Sequence, residues 1–210
     1  MIEIIDFHTH HLEADSALIS VDPRQFDPRP GRYYSVGFHP WNDVQSLSDG
    51  DFEMLEQCAA HPQVLAIGET GLDALRGGEL TAQSMVYARH LQLAARLNKP
   101  VVVHTVRTAQ QILAIRRREG LDGVSLAIHG MRGNANVARL FLDAGCYLSY
   151  GLHFNPSALQ CTPLDRVLIE TDDADITIND VAAQVASILG RSVSEILTLT
   201  AANAARLLRL

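Results

Sequence analysis

The stretch EIIDFHTHHLEAD, residues 3–15, concentrates three histidines among acidic side chains at the end of a short apolar run. A β-strand sends alternate residues to the same face, so Asp6, His8 and His10 would point the same way. Two imidazoles that converge in this manner can bind a metal ion. Chance also produces such a pair, and the remaining sequence has to distinguish the two cases. Asp6 could support an imidazole or make a structural hydrogen bond, and both readings stay open.

Other histidines and carboxylates occupy comparable places along the chain. Each ends or follows an apolar run, whereas surface histidines would fall in helices and loops, as His61 and His90 do. The C-terminal ends of parallel strands in a barrel meet at one mouth, where active sites lie. So many buried titratable groups would be unfavourable without partners, and a metal centre explains them. The residues are His8, His10, His39, Glu69, His104, His129 and Asp172.

The types of donor narrow the chemistry. Imidazole and carboxylate without cysteine suit zinc, manganese, iron, cobalt or magnesium, and the pattern leaves that choice open. With His39 set aside, the six candidate ligands exceed the need of one tetrahedral ion and predict two divalent ions. Glu69 is the available bridge, because Lys99 precedes the fifth strand on the opposite side. Paired ions activate a water, and Asp172 could bind one ion and accept the proton of that water.

Eight short apolar runs, rich in valine, isoleucine and tyrosine, predict buried strands. They span residues 2–7, 17–21, 33–38, 64–68, 100–104, 124–129, 146–151 and 166–171. Apolar positions at three- and four-residue spacing between and after these runs predict helices. The predicted helices span residues 51–60, 79–98, 108–119, 135–144, 179–190 and 193–208.

The alternation of strands and helices predicts an α/β protein with parallel strands and right-handed crossovers. Eight strands favour a (β/α)8 TIM barrel, which typically needs about 250 residues. Only nine residues separate the first two apolar runs and eleven the next two, so the early helices are predicted to be short or missing. An open doubly wound sheet is the alternative. The length fits a single domain over residues 1–210.

The overall composition limits the classes of partner. The net charge of −7 argues against a broad basic surface for duplex nucleic acid, while a narrow phosphate site with bound metals stays open. Three widely spaced cysteines indicate buried thiols in a reducing compartment. No signal-peptide pattern is visible, and no apolar run approaches the roughly 20 residues that span a bilayer. We therefore expect a cytoplasmic protein with no membrane association and no obligate protein partner.

Six motifs, in order along the chain, resemble the TatD-type metal-dependent deoxyribonucleases, a branch of the amidohydrolase-like barrels. They are DFHTHH at 6–11, GFHP at 37–40, GETGLD at 68–73, KPVVVH at 99–104, IHGMRGN at 128–134 and IETDD at 169–173. The closing TAANAARLL at 200–208 is similar to the C-terminal helix of the family. The resemblance implies a (β/α)8 barrel that hydrolyses phosphodiester bonds in DNA, with exonuclease action as one form. It implies two divalent ions held by His8, His10, Glu69, His104, His129 and Asp172.

Several substrate-facing positions depart from the family pattern. Trp41 stands where many members have a second histidine, and Val106 replaces the usual arginine, with Arg107 one place on. The loop HGMRG replaces an HCFSG-like loop, and Asp173 follows the strand-eight aspartate in place of a proline. These differences place the chain in a short, divergent branch that keeps the implied ligands.

Four residues are candidates for substrate binding. His39 lies at the end of the third strand and could contact a phosphate, or else pack against its neighbours. Arg132 is the preferred phosphate-binding arginine and Arg107 the next, because guanidinium groups bind phosphate in a bidentate manner. His153 follows the seventh strand and could also reach substrate. The pattern assigns no role to His11.

Three functions remain to be compared. The leading one is a DNA phosphodiesterase that uses a water activated by two metal ions, with Asp172 and Glu69 as the catalytic residues. The alternative is a metal-dependent hydrolase of a small phosphoester, amide or lactone. Trp41, the loss of the usual strand-five arginine at Val106 and the acidic charge balance favour it. The third is a non-catalytic metal-binding module. A module of that kind has no need of a potential bridging glutamate and of Asp172, so it ranks last.

Overall fold

Eight parallel strands, hydrogen-bonded in chain order, form a closed barrel in the computed structural model, which describes residues 2–210. The (β/α)8 prediction is confirmed, and the alternative of an open sheet is wrong. The strands are β1 Asp6–Thr9, β2 Ala17–Val21, β3 Tyr33–Val36, β4 Val64–Asp73, β5 Val101–Val106, β6 Leu126–Ile128, β7 Tyr147–Tyr150 and β8 Val167–Ile169.

The α-helices begin only after the third strand. Residues 10–16 and 22–32 contain no α-helix, and a 3-10 helix at Pro23–Gln25 is the one helical turn there, as the trimmed barrel predicts. A second 3-10 helix, Leu164–Arg166, precedes β8. The α-helices are α1 Asp49–Ala59, α2 Leu80–Leu97, α3 Ala109–Arg118, α4 Ala135–Asp143, α5 Pro156–Cys161, α6 Ile178–Leu189 and α7 Val193–Leu208.

Side-chain caps explain where several helices start. In three capping boxes the hydroxyl of the N-cap residue accepts from the third helical N–H, whose own carboxylate accepts from the N-cap backbone. The boxes pair Ser48 with Asp51 in α1, Thr177 with Asp180 in α6 and Ser192 with Glu195 in α7. The six-residue α5 was not predicted, because it is too short to show a helical period. Its start is marked locally, by Asn155 as cap and Pro156 as first residue.

The chain divides into two compact units, Met1–Ile19 with Ala127–Leu210, and Ser20–Leu126. The prediction of one domain over residues 1–210 stays a prediction. Among residues 2–210 no single helix is long and apolar enough to cross a membrane. Helices α6 and α7 reach that length and hydropathy only together, and they meet at a bend of 105°.

In the unit of Met1–Ile19 with Ala127–Leu210, strand β1 pairs with β8 through Asp6 and Ile169. The Asp6 carboxylate accepts hydrogen bonds from the backbone N–H of Thr171 at 3.0 Å and from its hydroxyl at 2.6 Å. The sequence leaves two roles open for Asp6, the support of an imidazole and a structural hydrogen bond, and the structure shows the structural hydrogen bond. Burial raises the pKa of Asp6 to about 6.

In the unit of Ser20–Leu126, Gly71 and Lys99 lie near opposite ends of the β4–β5 pair. Gly71 in β4 has φ +146°, and a Cβ there would overlap the carbonyl oxygen of His104 in β5. The glycine of the GETGLD motif therefore allows the two strands to approach closely where His104 is held. At the opposite end, Lys99 donates its ammonium protons to Ala59 and Val64 carbonyls at 2.5 and 2.6 Å. This position confirms that Lys99 is unsuited as a bridge.

His90 lies on α2 and is fully buried, so its expected placement at the surface is wrong. Its Nδ1 donates to the Val86 carbonyl at 2.8 Å, and its Nε2 accepts from the Phe38 N–H at 3.0 Å. The helical period could not reveal this, because it does not show which polar side chain finds buried partners. Burial lowers the pKa of His90 to about 4, and the neutral ring fixes the backbone next to His39.

We predict that His90 makes the free energy of unfolding fall at acidic pH. An unfolded histidine has a pKa near 6.5, and the folded value is about 4, so the unfolded state binds more protons between these limits. Stability should drop by about 3 kcal/mol as pH falls from 6.5 to 4, and no further below. Asp6 acts with the opposite sign between about pH 6 and its unfolded value of 3.8, since its folded pKa is raised.

In the wild type, the effects of His90 and Asp6 on the free energy of unfolding have opposite pH dependence and partly cancel. The test therefore compares variants. Urea unfolding of the metal-free wild type and of His90→Gln at pH 7, 5.5 and 4 measures how much His90 contributes to the pH dependence of the free energy of unfolding. The stability difference between them should shrink by about 3 kcal/mol from pH 7 to pH 4. His61→Gln, at a partly exposed histidine, serves as the matched control. A difference that is independent of pH would show that His90 does not titrate in this way.

Candidate metal centre

The β4–β5 cluster, defined as His39, Glu69 and His104, lies in the unit of Ser20–Leu126 and offers three ligand atoms. Glu69 Oε1 is 2.9 Å from His39 Nε2 and 2.8 Å from His104 Nδ1. The two ring nitrogens are 3.3 Å apart. His39 follows β3, as predicted. Glu69 lies inside β4 and not after it, because the pairing of β4 with β5 continues to Asp73 and Val106.

Asp73 lies behind the His104 ring and faces its other nitrogen. Asp73 Oδ2 is 3.2 Å from His104 Nε2 and accepts from the indole N–H of Trp41 at 2.6 Å. Burial alone would raise the pKa of Asp73, but the hydrogen bonds from Trp41, from the Leu75 backbone and from His104 hold it below its usual value. The ionised Asp73 can only accept a proton, so it keeps the His104 proton on Nε2.

The proton on His104 Nε2 leaves a lone pair on Nδ1, which points at the Glu69 carboxylate 2.8 Å away. Two acceptors at this distance need a shared cation, either a proton or a metal ion. His39 differs, because its Nδ1 accepts from the Trp41 backbone N–H at 3.1 Å. The proton of His39 is therefore on Nε2 and is donated towards Glu69. Glu69 and His104 fit a metal ion directly, and His39 fits a hydrogen-bond donor beside it.

The β1–β8 cluster, defined as His8, His10 and Asp172, lies in the unit of Met1–Ile19 with Ala127–Leu210. His8 is buried in β1, and His10 follows the last residue of that strand. Asp172 Oδ1 is 3.6 Å from His8 Nε2 and 3.7 Å from His10 Nε2. These separations exceed a hydrogen bond and match the spacing of about 3.4 Å between ligands on a tetrahedral ion with bonds near 2.1 Å. The donor set therefore fits a divalent ion.

The backbone of Asp172 explains why its carboxylate lies between the two histidines. Its N–H donates to the His8 carbonyl at 2.9 Å, and its carbonyl accepts from the His10 N–H at 3.0 Å. The residue has φ +56°, in the left-handed region. Aspartate adopts this region more readily than most residues. Thr9 adds a hydroxyl bond to the Asp172 carbonyl at 3.2 Å, so the end of β1 and Asp172 form one fixed element.

His129 belongs to the same unit and lies beside His8, with ring centroids 4.3 Å apart. Behind it is Glu170, which is fully buried and lies 3.4 Å from His129 Nδ1. Glu170 also accepts from the Gly130 N–H at 2.6 Å. Burial would raise the pKa of Glu170, but the hydrogen bond and charge of His129, the charge of His8 and a bond from Ser149 lower it. An ionised Glu170 orients His129 as Asp73 orients His104.

The predicted substrate residues take different places. Arg132 and His153 are exposed and line a cavity of about 100 Å³ together with Asp172 and Asp173. Arg107 is exposed at the end of β5, with φ +57°. The structure thus brings Arg132 and His153 together near Asp172, while Arg107 belongs to the other unit. Their roles as substrate contacts stay predictions.

His11, for which the pattern assigned no role, contacts a loop backbone. Its Nε2 is 3.0 Å from the Ala174 carbonyl, two residues after Asp172. Its backbone N–H donates to the Thr9 hydroxyl at 3.3 Å. His11 therefore ties the loop that carries Asp172 to the end of β1.

Sequence reasoning missed the residues that support the ligands. The sequence pattern assigns no role to Asp73, Gln83 or Glu170. The sequence does contain a signal for two of them: Asp73 is four residues from Glu69, and Glu170 two from Asp172, and in a regular strand such even spacing puts a residue on the same face as the predicted ligand. Gln83 on α2 carried none, although its amide holds the backbone of Asp73 on both sides, at 2.7 and 3.2 Å.

We predict that Asp73→Asn and Glu170→Gln each weaken metal binding, because each removes the charge that fixes a ligand imidazole. Loss of such a support typically lowers metal affinity 10- to 100-fold. Calorimetric titration of the metal-free protein with Zn²⁺ measures the effect. Asp43→Asn, at an exposed aspartate, is the matched control and should leave affinity unchanged. Wild-type affinity in both variants would contradict the assigned support.

The sequence is similar to a known family of proteins over most of its length. The family described as TatD related DNase matches residues 26–209. The uncharacterized metal-dependent hydrolase YabD of Bacillus subtilis (strain 168) is 30% identical over 199 residues, which cover 85% of this chain and 78% of YabD. The uncharacterized metal-dependent hydrolase YcfH of Escherichia coli (strain K12) is 33% identical over 195 residues, covering 83% and 72%.

Solved structures support the same fold. The crystal structure of YjjV, a TatD homolog from Escherichia coli K12, matches with a TM-score of 0.82 at 22% identity, covering 99% of this chain and 98% of YjjV. At this identity the likeness speaks for the fold alone, and the family follows from the sequence matches. The chain belongs to the TatD-related DNase family and is a metal-dependent hydrolase.

Proposed function

We propose that this chain hydrolyses phosphodiester bonds in DNA, with release of nucleotides from a strand end as one form, and that it uses two divalent ions. The observation that carries the proposal is the placement of Asp172. It belongs to the β1–β8 cluster and also lines a cavity with Arg132 and His153. Divalent ions, when bound, would activate a water and stabilise the charge that develops on the phosphate.

Asp172 is suited to accept a proton in this cavity. Its side chain is 22% exposed, so it can contact water, while its backbone is held by the end of β1. A carboxylate in this position acts as a general base when the proton it receives is within hydrogen-bond reach. The sequence also predicts that Glu69 bridges two ions, and this role is part of the proposal.

The charges that line the cavity bear on how a phosphate would bind. Arg132 contributes one positive charge, whereas Glu170, Asp172 and Asp173 contribute carboxylates. A phosphate would be repelled by this balance without further positive charge, and bound metal ions would reverse it. Arg132 and His153 would then orient the phosphate oxygens through charge-assisted hydrogen bonds. Substrate affinity should therefore depend on metal.

A second candidate is a metal-dependent hydrolase of a small phosphoester, amide or lactone. The observation that favours it is the acidic lining of the cavity together with a net charge of −7. Such a surface gives a long polyanion little attraction beyond the metal ions, whereas a small or neutral substrate is less affected. A substrate panel separates the two candidates.

We predict that Asp172→Asn abolishes hydrolysis. Metal-loaded protein is incubated with end-labelled single- and double-stranded DNA, and nucleotide release is followed. General acid–base groups typically contribute 10²- to 10⁴-fold, and loss of a ligand adds to this, so the rate should fall at least about 100-fold. Asp175→Asn, at an exposed aspartate of the same loop, is the matched control. Equal rates in the wild type and Asp172→Asn would refute the proposed role.

The same preparations are then tested on small phosphoesters, amides and lactones. Activity that is confined to DNA supports the phosphodiesterase and eliminates the second candidate. Activity that is confined to small substrates, and that Asp172→Asn removes, supports the second candidate instead.

A further inference from the structure

Trp41 occupies an unusual position beside the β4–β5 cluster. Its ring lies edge-on to His39 at 4.8 Å and to His104 at 5.4 Å, measured between centroids. Its indole N–H is held by Asp73, and yet 47% of the residue is exposed. A large aromatic side chain that is fixed at its polar atom and still exposed offers a rigid surface on which another group can pack.

Arg76 covers one face of this indole, with its guanidinium carbon 4.6 Å from the ring centroid. A cation–π contact does not consume the N–H donors of a guanidinium. Those donors can bind carboxylate or phosphate oxygens in pairs.

The backbone of Arg76 is fixed from both sides. Its N–H donates to Asp73 Oδ1 at 3.0 Å, and its carbonyl accepts from the buried amide of Gln83 at 3.1 Å. Next to it, Gly77 has φ +82°, and a Cβ there would overlap the Pro40 carbonyl. Only a glycine lets the loop pack this closely on the turn that carries Trp41. The guanidinium is therefore presented from a backbone that is held by Asp73, the carboxylate behind His104.

The charge of Arg76 lacks a carboxylate partner among residues 2–210. Two other exposed arginines of the same unit are neutralised: Arg89 pairs with Asp49 and Arg96 with Glu56, at 2.9 and 2.8 Å. Arg107 and Arg117 are exposed without such a pair in the described part of the chain, and Arg76 differs from them because it lies over the ring of Trp41. In a chain with a net charge of −7, an unpaired arginine at the metal cluster marks a place for an anion.

We propose that Arg76, which lies over the ring of Trp41, binds a second phosphate of the substrate, other than the phosphoester that is hydrolysed. The inference rests on the proposed function and narrows it to substrates that carry at least two phosphate groups. A base would find less room here, because Arg76 covers the indole and two imidazole rings approach it. Trp41 acts as a positioning residue for the guanidinium, and Arg76 contacts the substrate.

The experiment uses two thymidine dinucleotides that differ only in a 5′-phosphate. Trp41 is the single tryptophan of the chain, so its fluorescence reports binding without dependence on hydrolysis. Stopped-flow titration of metal-loaded wild type should show about tenfold tighter binding of the phosphorylated dinucleotide, a difference typical of one charge-assisted fork. Arg76→Gln should lose this preference and bind the unphosphorylated dinucleotide as before.

Two further variants separate a contact from a structural role. Arg118→Gln, at an exposed arginine on α3, should keep the tenfold preference. Arg76→Lys keeps the charge but loses the planar fork of N–H donors. It should keep a preference of about two- to threefold for the phosphorylated dinucleotide. The absence of a preference in the wild type, its persistence in Arg76→Gln, or an equal loss for both dinucleotides would overturn the inference.

Failure of the inference and failure of the proposed function have different signatures. Release of thymidine nucleotides from both dinucleotides without any difference in affinity leaves the phosphodiesterase standing and overturns the second phosphate site. A tenfold preference that Arg76→Gln removes, without nucleotide release from any DNA, leaves the phosphate site standing and overturns the proposed function.

Discussion

The hydrogen bond between His104 and Asp73 decides which imidazole nitrogen keeps a proton, and the chemistry of the β4–β5 cluster depends on that choice. With Nε2 bound to Asp73 at 3.2 Å, the lone pair of Nδ1 faces Glu69 at 2.8 Å. The lone pair of His104 and the carboxylate of Glu69 repel each other unless a cation lies between them. The arrangement is therefore stable only with a proton or a metal ion. In the other unit, Glu170 performs the same task for His129.

The fold supplies the rigidity that this arrangement needs. Asp172 is paired through its backbone with the residues that bear His8 and His10, and the buried His90 fixes the backbone of Phe38, next to His39. Ligands that are fixed in this way lose little conformational freedom when a metal ion binds, because most of that entropy is lost on folding. The backbone of Arg76 is held in the same way, because its N–H donates to Asp73.

Much of this could be predicted from local pattern. The HxH spacing of His8 and His10, and the strand-by-strand order of ligands, required only that alternate residues share a face and that parallel strands end together. The supports could not be found in this way, because Asp73 and Trp41 are 32 positions apart and meet only in the fold. The end of β4 was placed too early, since its pairing with β5 extends past the apolar run.

The most direct test of the central claim is anomalous diffraction from crystals grown with Zn²⁺, recorded on both sides of the zinc absorption edge. We expect one peak bound by His8, His10 and Asp172, and another bound by Glu69 and by Nδ1 of His104, with Nε2 of that ring still on Asp73. Zinc bound only at surface residues, or bound through Nε2 of His104, would contradict it.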